Sequence, residues 1–480
     1  MKNNGNLSIY VHTPFCKSKC NYCNFYSINP ENINYAKLQK KYNIHYNHNN
    51  IHDIYLQSLI KELKIVSEKY NLHSNLRHDR VVKTIYFGGG TPSVMGINFF
   101  EEIINNIHKT FAVSDNPEIT VEVNPESAAF DKLKSLRSLG INRISIGAQS
   151  FNDNVLKIAG RLHSSADILR CVDDSRKCGF NNISLDLMLG LPGQTAEILQ
   201  KDINSLLSIR PEHISAYILS IEKGSEFYKN FKKLHILSEE NYEYKAYEES
   251  KEDRLADFYI AAAERFSSNG YKHYEISNFA LNGFESKHNI NYWERGEYIG
   301  LGPAASSFIK LTANCCSHNN ADNSISMSNI DDNSGNGNIN NYYYNNNRDV
   351  KKKIEIRITN ESNLIKYINK ISNFEKKILR AENKKNKLIK YKIEEFKTNE
   401  EVLTKKNIIN EKIFLSLRTH KGIKTEIIYK YADKTVIDTL IKAGFAEIYT
   451  TRITSYARYY LRLTLKGMLI SSEIFSKILL

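Results

Sequence analysis

From residue 7 to about 221 the chain repeats one pattern, an apolar run of strand length followed by a stretch whose apolar residues recur at helical spacing. The strand-length runs are LSIYVHTP (7–14), KTIYFGGG (83–90), EITVEVNP (118–125), RISIGAQS (143–150), NISLDLMLGLPGQ (182–194) and HISAYILSI (213–221). Two of the intervening helical stretches, DKLKSLRSLG and SSADILRCVDDSRKCG, end on Gly, a common helix stop. Six βα units predict an α/β fold with parallel strands. Several strands carry polar or Gly residues at their C-terminal ends, the edge where α/β barrels and sheets gather their chemistry.

Two segments break the rhythm. Residues 29–52 are rich in Asn and Tyr, and 313–350 form a low-complexity Asn-rich tract with too little apolar surface to offset the entropy of ordering, so disorder is expected there. Residues 351–400 are rich in Lys, Ile and Glu and have helical character. The C-terminal stretch from about 405 reads as helix, helix, short strand, strand, helix, like a small winged-helix α+β module. The expected domains are a core over 1–230 interrupted at about 29–52, an extension over 231–310, a low-complexity insertion and linker over 311–404, and the module over 405–480.

Composition narrows the function classes. Hydrophobic residues make up 41% of 480, and no apolar run approaches a membrane span. The N-terminus has no signal-peptide apolar region and no room for a transit peptide, so the expected location is the cytoplasm, or an organelle if coding sequence is missing upstream. The net charge of +13 permits nucleic-acid binding. Much of the excess, however, lies in runs such as KKKIEIR that read as solvated faces, and no nucleic-acid partner is expected. Seven cysteines, an odd number without a secretory signal, favour metal or redox chemistry over disulfides.

Three of them, Cys16, Cys20 and Cys23, lie in CKSKCNYC just past the first strand. Three thiolates can each hold one iron of a four-iron cluster and leave the fourth iron open. A three-Cys zinc site completed by His12 is the competing reading.

This loop, with Tyr22 just before its last Cys, resembles that of the radical S-adenosylmethionine (SAM) superfamily, as does the Gly-rich strand end FGGGTPS at 87–93. The resemblance implies a partial (β/α)6 radical SAM barrel holding a 4Fe-4S cluster on the three cysteines. In that superfamily the cluster donates one electron to SAM, which splits into methionine and a 5'-deoxyadenosyl radical. It also implies SAM contacts at Tyr10, Tyr22, Gly89, Gly90, Thr91, Glu122, Gln149, Arg161 and Asp186. Glu122 and Arg161 as a structural ion pair, and Asp186 as a strand-end cap, are the alternatives.

Within the superfamily the chain is similar to the branch containing oxygen-independent coproporphyrinogen III oxidase and the heme chaperone HemW. The similarity covers residues 7–28, 53 to about 308 and about 405–480. The oxidases usually carry a fourth Cys two residues after the third, whereas this chain has Phe25, as the chaperones do. HNINYW at 288–293 resembles the HNxxYW motif of the chaperones and makes His288 a candidate heme ligand, against the plainer reading of a capped turn. GLGPAASSF at 300–308 departs from the branch by placing Ser306 where His is usual. The longer N-terminal segment with which the oxidases cover their substrate is not expected here. The resemblance therefore implies a role in porphyrin metabolism as a heme chaperone. Its partners would be heme, an unidentified heme-acceptor protein and an electron donor such as flavodoxin or ferredoxin, with membrane contact only through the acceptor. The alternative is an oxidase that decarboxylates porphyrinogen propionates, and an RNA-modifying radical SAM protein is a third class.

Overall fold

The computed structural model describes residues 5–33, 50–69, 80–230, 242–313, 352–382, 399–453 and 456–479. Most of the 29–52 segment and almost all of the 313–350 tract, including the disorder expected there, lie outside the described residues.

All six expected strands form: β1 (Gly5–Thr13), β2 (Arg80–Gly89), β3 (Val113–Val123), β4 (Arg143–Gln149), β5 (Ile183–Leu189) and β6 (His213–Ile218). They pair in parallel in chain order, as helical crossovers require. Their residues alternate with period two. On one face Ile9, Val11, Ile85, Phe87, Val121 and Leu185 are buried under the helices. On the other, Tyr10, Tyr86, Glu122, Ser145, Asp186 and Ser215 point the opposite way, so the curled sheet has an apolar outside and a polar lumen. Each Ile, Leu or Phe removed from water contributes roughly 1.5–3 kcal/mol. The segment after β6 returns to the loop after β1, where the Phe227 N–H donates to the Asn21 carbonyl at 2.8 Å.

The crossover helices follow from local sequence. In the helix Ile97–Thr110, Phe99, Phe100, Ile103, Ile104 and Ile107 fall on one buried stripe. The helix Ser165–Lys177 starts in a capping box between Ser164 and Asp167. No described helix is long and apolar enough to cross a membrane.

Beyond the barrel the same sheet continues. β7 (Lys272–Glu275) and β8 (Asn278–Ala280) extend it antiparallel past β6, while β9 (Glu297–Leu301) lies parallel to β1 on its free side. β10 (Ser306–Ala313), β11 (Lys352–Thr359) and β12 (Asn399–Val402) follow, giving the order β12-β11-β10-β9-β1-β2-β3-β4-β5-β6-β8-β7. This corrects the reading of 311–404 as insertion and linker. β10 and β11 pair from Ser306↔Thr359 to Ala313↔Lys352. The helix Leu364–Glu382 packs on the helix Ile51–Lys69, burying Leu364, Ile368 and Ile371 and donating from the Tyr367 hydroxyl to Glu62 at 2.6 Å. The apolar alternation of KKIEIRIT is masked by its lysines when composition alone is weighed.

The C-terminal module runs helix Lys405–Leu417, β13 (Ile423–Lys424), helices Thr425–Tyr431 and Lys434–Lys442, β14 (Ala446–Ile453) and β15 (Tyr456–Leu463), then two short helices. Its sheet is antiparallel, ordered β13-β15-β14, which is the helix-strand-helix-helix-strand-strand pattern of a winged helix. It docks on the barrel body through Ile276 N–H to Arg418 O at 2.9 Å and His420 N–H to Tyr274 O at 3.0 Å.

Candidate functional site

The cysteine loop leaves β1 and is held in place by backbone rather than by its thiols. Cys16 N–H donates to Ile28 O (3.0 Å), Cys23 N–H to Cys20 O (3.1 Å) and Asn21 N–H to Ala159 O (3.0 Å). Cys16, Cys20 and Cys23 are all free of disulfides. Burial pushes the thiols of Cys16 and Cys23 up, so a cation is needed to hold them as thiolates. Among the described residues no group of three or more His, Cys, Asp or Glu side chains could hold a metal ion. A four-iron cluster makes a different demand, one iron for each thiolate. The zinc alternative also loses its fourth ligand. Both ring nitrogens of His12 are engaged, Nδ1 with the Tyr10 hydroxyl and Nε2 with Tyr26 O, both at 3.1 Å.

The Gly-rich end of β2 packs directly against the loop. Gly90 N–H donates to Thr13 O at 2.7 Å and Thr91 N–H to Phe15 O at 2.8 Å, while the Thr91 hydroxyl lies 3.3 Å from Cys16 Sγ. A Cβ at Gly90 would sit 2.7 Å from Phe15 O and 3.1 Å from Cys16 Sγ, so only Gly allows this approach. Gly89 has a φ of 111°, and its N–H donates to Glu122 Oε2 at 3.1 Å.

Glu122 also accepts from the Tyr86 hydroxyl at 2.9 Å. Its carboxyl is raised to about 7, chiefly by burial, with repulsion from Asp186 adding to the effect. Burial likewise raises Asp186 to about 6, although Ser145 donates to it at 3.1 Å. Asp186 lies mid-strand on the lumen face, so it is not a strand-end cap. Glu122 and Arg161 are not paired with each other. Arg161 reaches Cys20 Sγ (3.3 Å), the Tyr22 hydroxyl (3.5 Å), Asn124 Oδ1 (2.9 Å) and Gly147 O (2.8 Å). Its Nε is buried without a partner, a donor left for a ligand. Gln149 closes β4 with a φ of 68°, beside a bulge in the β4–β5 register that re-aims its side chain. The loop and lumen thus bring together all the residues expected from the sequence except His288. Tyr86 and Asn124, which position Glu122 and Arg161, were not anticipated, although both stand within two residues of flagged motif positions.

His288 lies apart from this cluster. It is 1% exposed, in the helix Lys287–Trp293 under the floor of the lumen. Its Nδ1 lies 2.7 Å from the Thr84 hydroxyl and its Nε2 2.8 Å from the Tyr292 hydroxyl. Thr84 donates to Ser8, so His288 Nδ1–H donates to Thr84 and Nε2 accepts from Tyr292. Burial lowers the imidazole to about 3, with the positive Arg143 acting in the same direction. Burial thus favours the neutral ring, and both of its nitrogens are engaged in hydrogen bonds, the arrangement of a core histidine.

The motif contributes elsewhere. A mainly apolar cleft of about 470 Å³ opens beside the cysteine loop, between β1, the β9–β10 corner and the helix Lys405–Leu417 of the C-terminal module. Phe25 and Tyr292 of the branch motifs line it, as does Ser306, the position where the chain departs from the branch, with Tyr298, Phe308 and Phe414. Phe25 is 69% exposed at its rim.

Comparison with known proteins agrees with this geometry. Residues 10–206 match the family profile of the radical SAM superfamily. The chain is 30% identical over 483 aligned residues to the heme chaperone HemW of Lactococcus lactis, covering 98% of this chain and 97% of that one. It is 35% identical to HemW of Bacillus subtilis, covering 63% of this chain and 71% of that one. Among solved structures the fold is similar to coproporphyrinogen III oxidase (HemN) of Escherichia coli, a radical SAM enzyme, with a TM-score of 0.63 at 19% identity, covering 98% of this chain and 89% of that one.

Proposed function

This chain belongs to the heme chaperone HemW family of the radical SAM superfamily, and from that premise we propose that it binds heme and passes it to an acceptor protein in the cytoplasm. The observation that carries the reading is the convergence of Phe25 and Tyr292 on one mainly apolar, aromatic-walled cleft beside the cysteine loop. A flat, largely apolar ligand suits such a cleft, which lies in the size range of small-molecule sites. The aromatic side chains exclude water and offer faces on which a macrocycle can stack.

The residues present also fit the cofactors of the superfamily. Cys16, Cys20 and Cys23 would hold the 4Fe-4S cluster, with Gly90 allowing the strand end to approach it. Tyr10, Tyr22, Gly89, Thr91, Glu122, Gln149 and Asp186 would surround SAM. The orphaned Nε of Arg161 would meet the SAM carboxylate in a charge-assisted bond, and an ionised Glu122 would receive its amino group or ribose hydroxyls. When bound, the pair supplies one-electron chemistry, for which an electron donor such as flavodoxin or ferredoxin is needed. The polar lumen that accommodates these groups also favours a second reading, an oxidase that decarboxylates the propionates of coproporphyrinogen III.

One experiment separates the two. The protein is purified anaerobically, its cluster is reconstituted, and hemin is titrated into wild type and Phe25→Glu while the Soret band is recorded. Coproporphyrinogen III is then supplied with SAM and reductant. Stoichiometric hemin binding weakened by the rim charge, without porphyrinogen product, supports the chaperone. Product without specific hemin binding makes the protein an oxidase.

A further inference from the structure

The cleft is mainly apolar, but two arginines that line it, from different parts of the chain, share a carboxylate. Arg295 Nε and Nη2 lie 3.2 and 3.0 Å from Glu411 Oε2, and Arg357 Nη2 binds the other oxygen, Glu411 Oε1. Each arginine has a second anion of its own, Glu355 at 2.8 Å from Arg295 and Glu401 at 3.4 Å from Arg357. Arg295 also lies over the Phe308 ring, 5.1 Å from its centroid. Arg295, Arg357 and Glu411 all line the cleft, while Glu355 and Glu401 do not.

Two backbone facts set the place apart. Arg295 follows the helix Lys287–Trp293 with a φ of 54°, the left-handed conformation in which helices ordinarily end on Gly, and Ala304 in the same cleft has a φ of 60°. Of the four non-Gly residues with positive φ among the described residues, these two line one cavity. Strain of this kind concentrates where a side chain is needed at a fixed point.

Resting on the heme reading, we infer that Arg295 and Arg357 form the receptor for the propionate carboxylates of the tetrapyrrole, and that Glu411 occupies the receptor until the cargo displaces it. Guanidinium groups match carboxylates in geometry, and beside an apolar wall the bonds are strong. Glu411 is the anion that can leave, because each arginine keeps Glu355 or Glu401 when it does. Arg295 and Arg357 are the only Arg or Lys among the described residues lining the cleft, so the macrocycle would lie with its propionates toward them.

The test compares hemin with hemin dimethyl ester, which has the same macrocycle without the acids, on the full chain by Soret titration. Wild type is expected to bind hemin roughly tenfold to a hundredfold more tightly than the ester, the value of one or two charge-assisted bonds. In Arg357→Gln, the more exposed of the two arginines, that ratio should fall toward one while ester affinity stays the same. Glu411→Gln should tighten hemin and leave the ester unchanged. An undiminished ratio in Arg357→Gln, or weaker hemin binding in Glu411→Gln, overturns the inference. If wild type binds neither compound, the heme reading itself has failed, and the inference with it.

Discussion

Replacing His288 with Ala should lower stability without altering how heme iron is ligated. The ring contributes two hydrogen bonds, at 2.7 and 2.8 Å, and contacts Tyr86 and Tyr292 with ring centroids 5.0 and 4.8 Å apart. Two neutral hydrogen bonds contribute about 1 kcal/mol each and two aromatic contacts about 0.5 kcal/mol or more each, so the loss is on the order of 3 kcal/mol. At about 2 °C per kcal/mol for a large domain, the melting temperature should fall by about 6 °C. The assay pairs a thermal scan of the cluster-reconstituted protein with absorption and electron paramagnetic resonance spectra of its hemin complex at 15 °C. The Soret position and the spin state should match wild type. A shifted Soret band or a new spin state in a variant that melts like wild type would refute the structural role and restore His288 as an axial ligand.

Two further outcomes follow from the cofactor residues. SAM affinity should fall by up to tenfold per pH unit below about 7, because Glu122 then takes up a proton, and Glu122→Gln should abolish that slope in calorimetric titrations. The sign for stability is the opposite. A carboxyl raised in the folded state loses stability as pH rises from its unfolded value toward 7, so the SAM-free Glu122→Gln protein should melt higher than wild type above pH 7. Gly90→Ala should force Phe15 O and Cys16 Sγ away from contacts of 2.7 and 3.1 Å, cost about 1–3 kcal/mol and leave iron incorporation well below wild type. Full iron content at an unchanged melting temperature would refute that account.

The barrel was legible because its signals are local. Strand-length apolar runs, Gly stops and the cysteine spacing each lie within a few residues, and the six strands pair in the order the rhythm implies. The lumen residues could be named because each sits inside a short string that resembles a motif of the family. Arg295, Glu355, Arg357, Glu401 and Glu411 could not be found this way. They meet only because β10 and β11 pair across the Asn-rich tract and the C-terminal helix folds back over the cleft. The lysines of 351–400 hid a buried strand, for composition averages over the alternation that decides which face is inside. HNINYW marked the neighbourhood of the cleft, but a motif string does not reveal that His288 faces Thr84 while Tyr292 lines the cleft.

The pairing of Ala313 with Lys352 has an evolutionary consequence. Ala313 and Lys352 are partners at neighbouring strand ends, so a connection of any length between them has to close this one gap. Closing a loop ten times longer adds about 2 kcal/mol, a logarithmic penalty that a body with this much buried surface can carry. A drift toward Asn and Lys codons could lengthen such a loop step by step, with selection acting on the strand pair and hardly at all on the residues between.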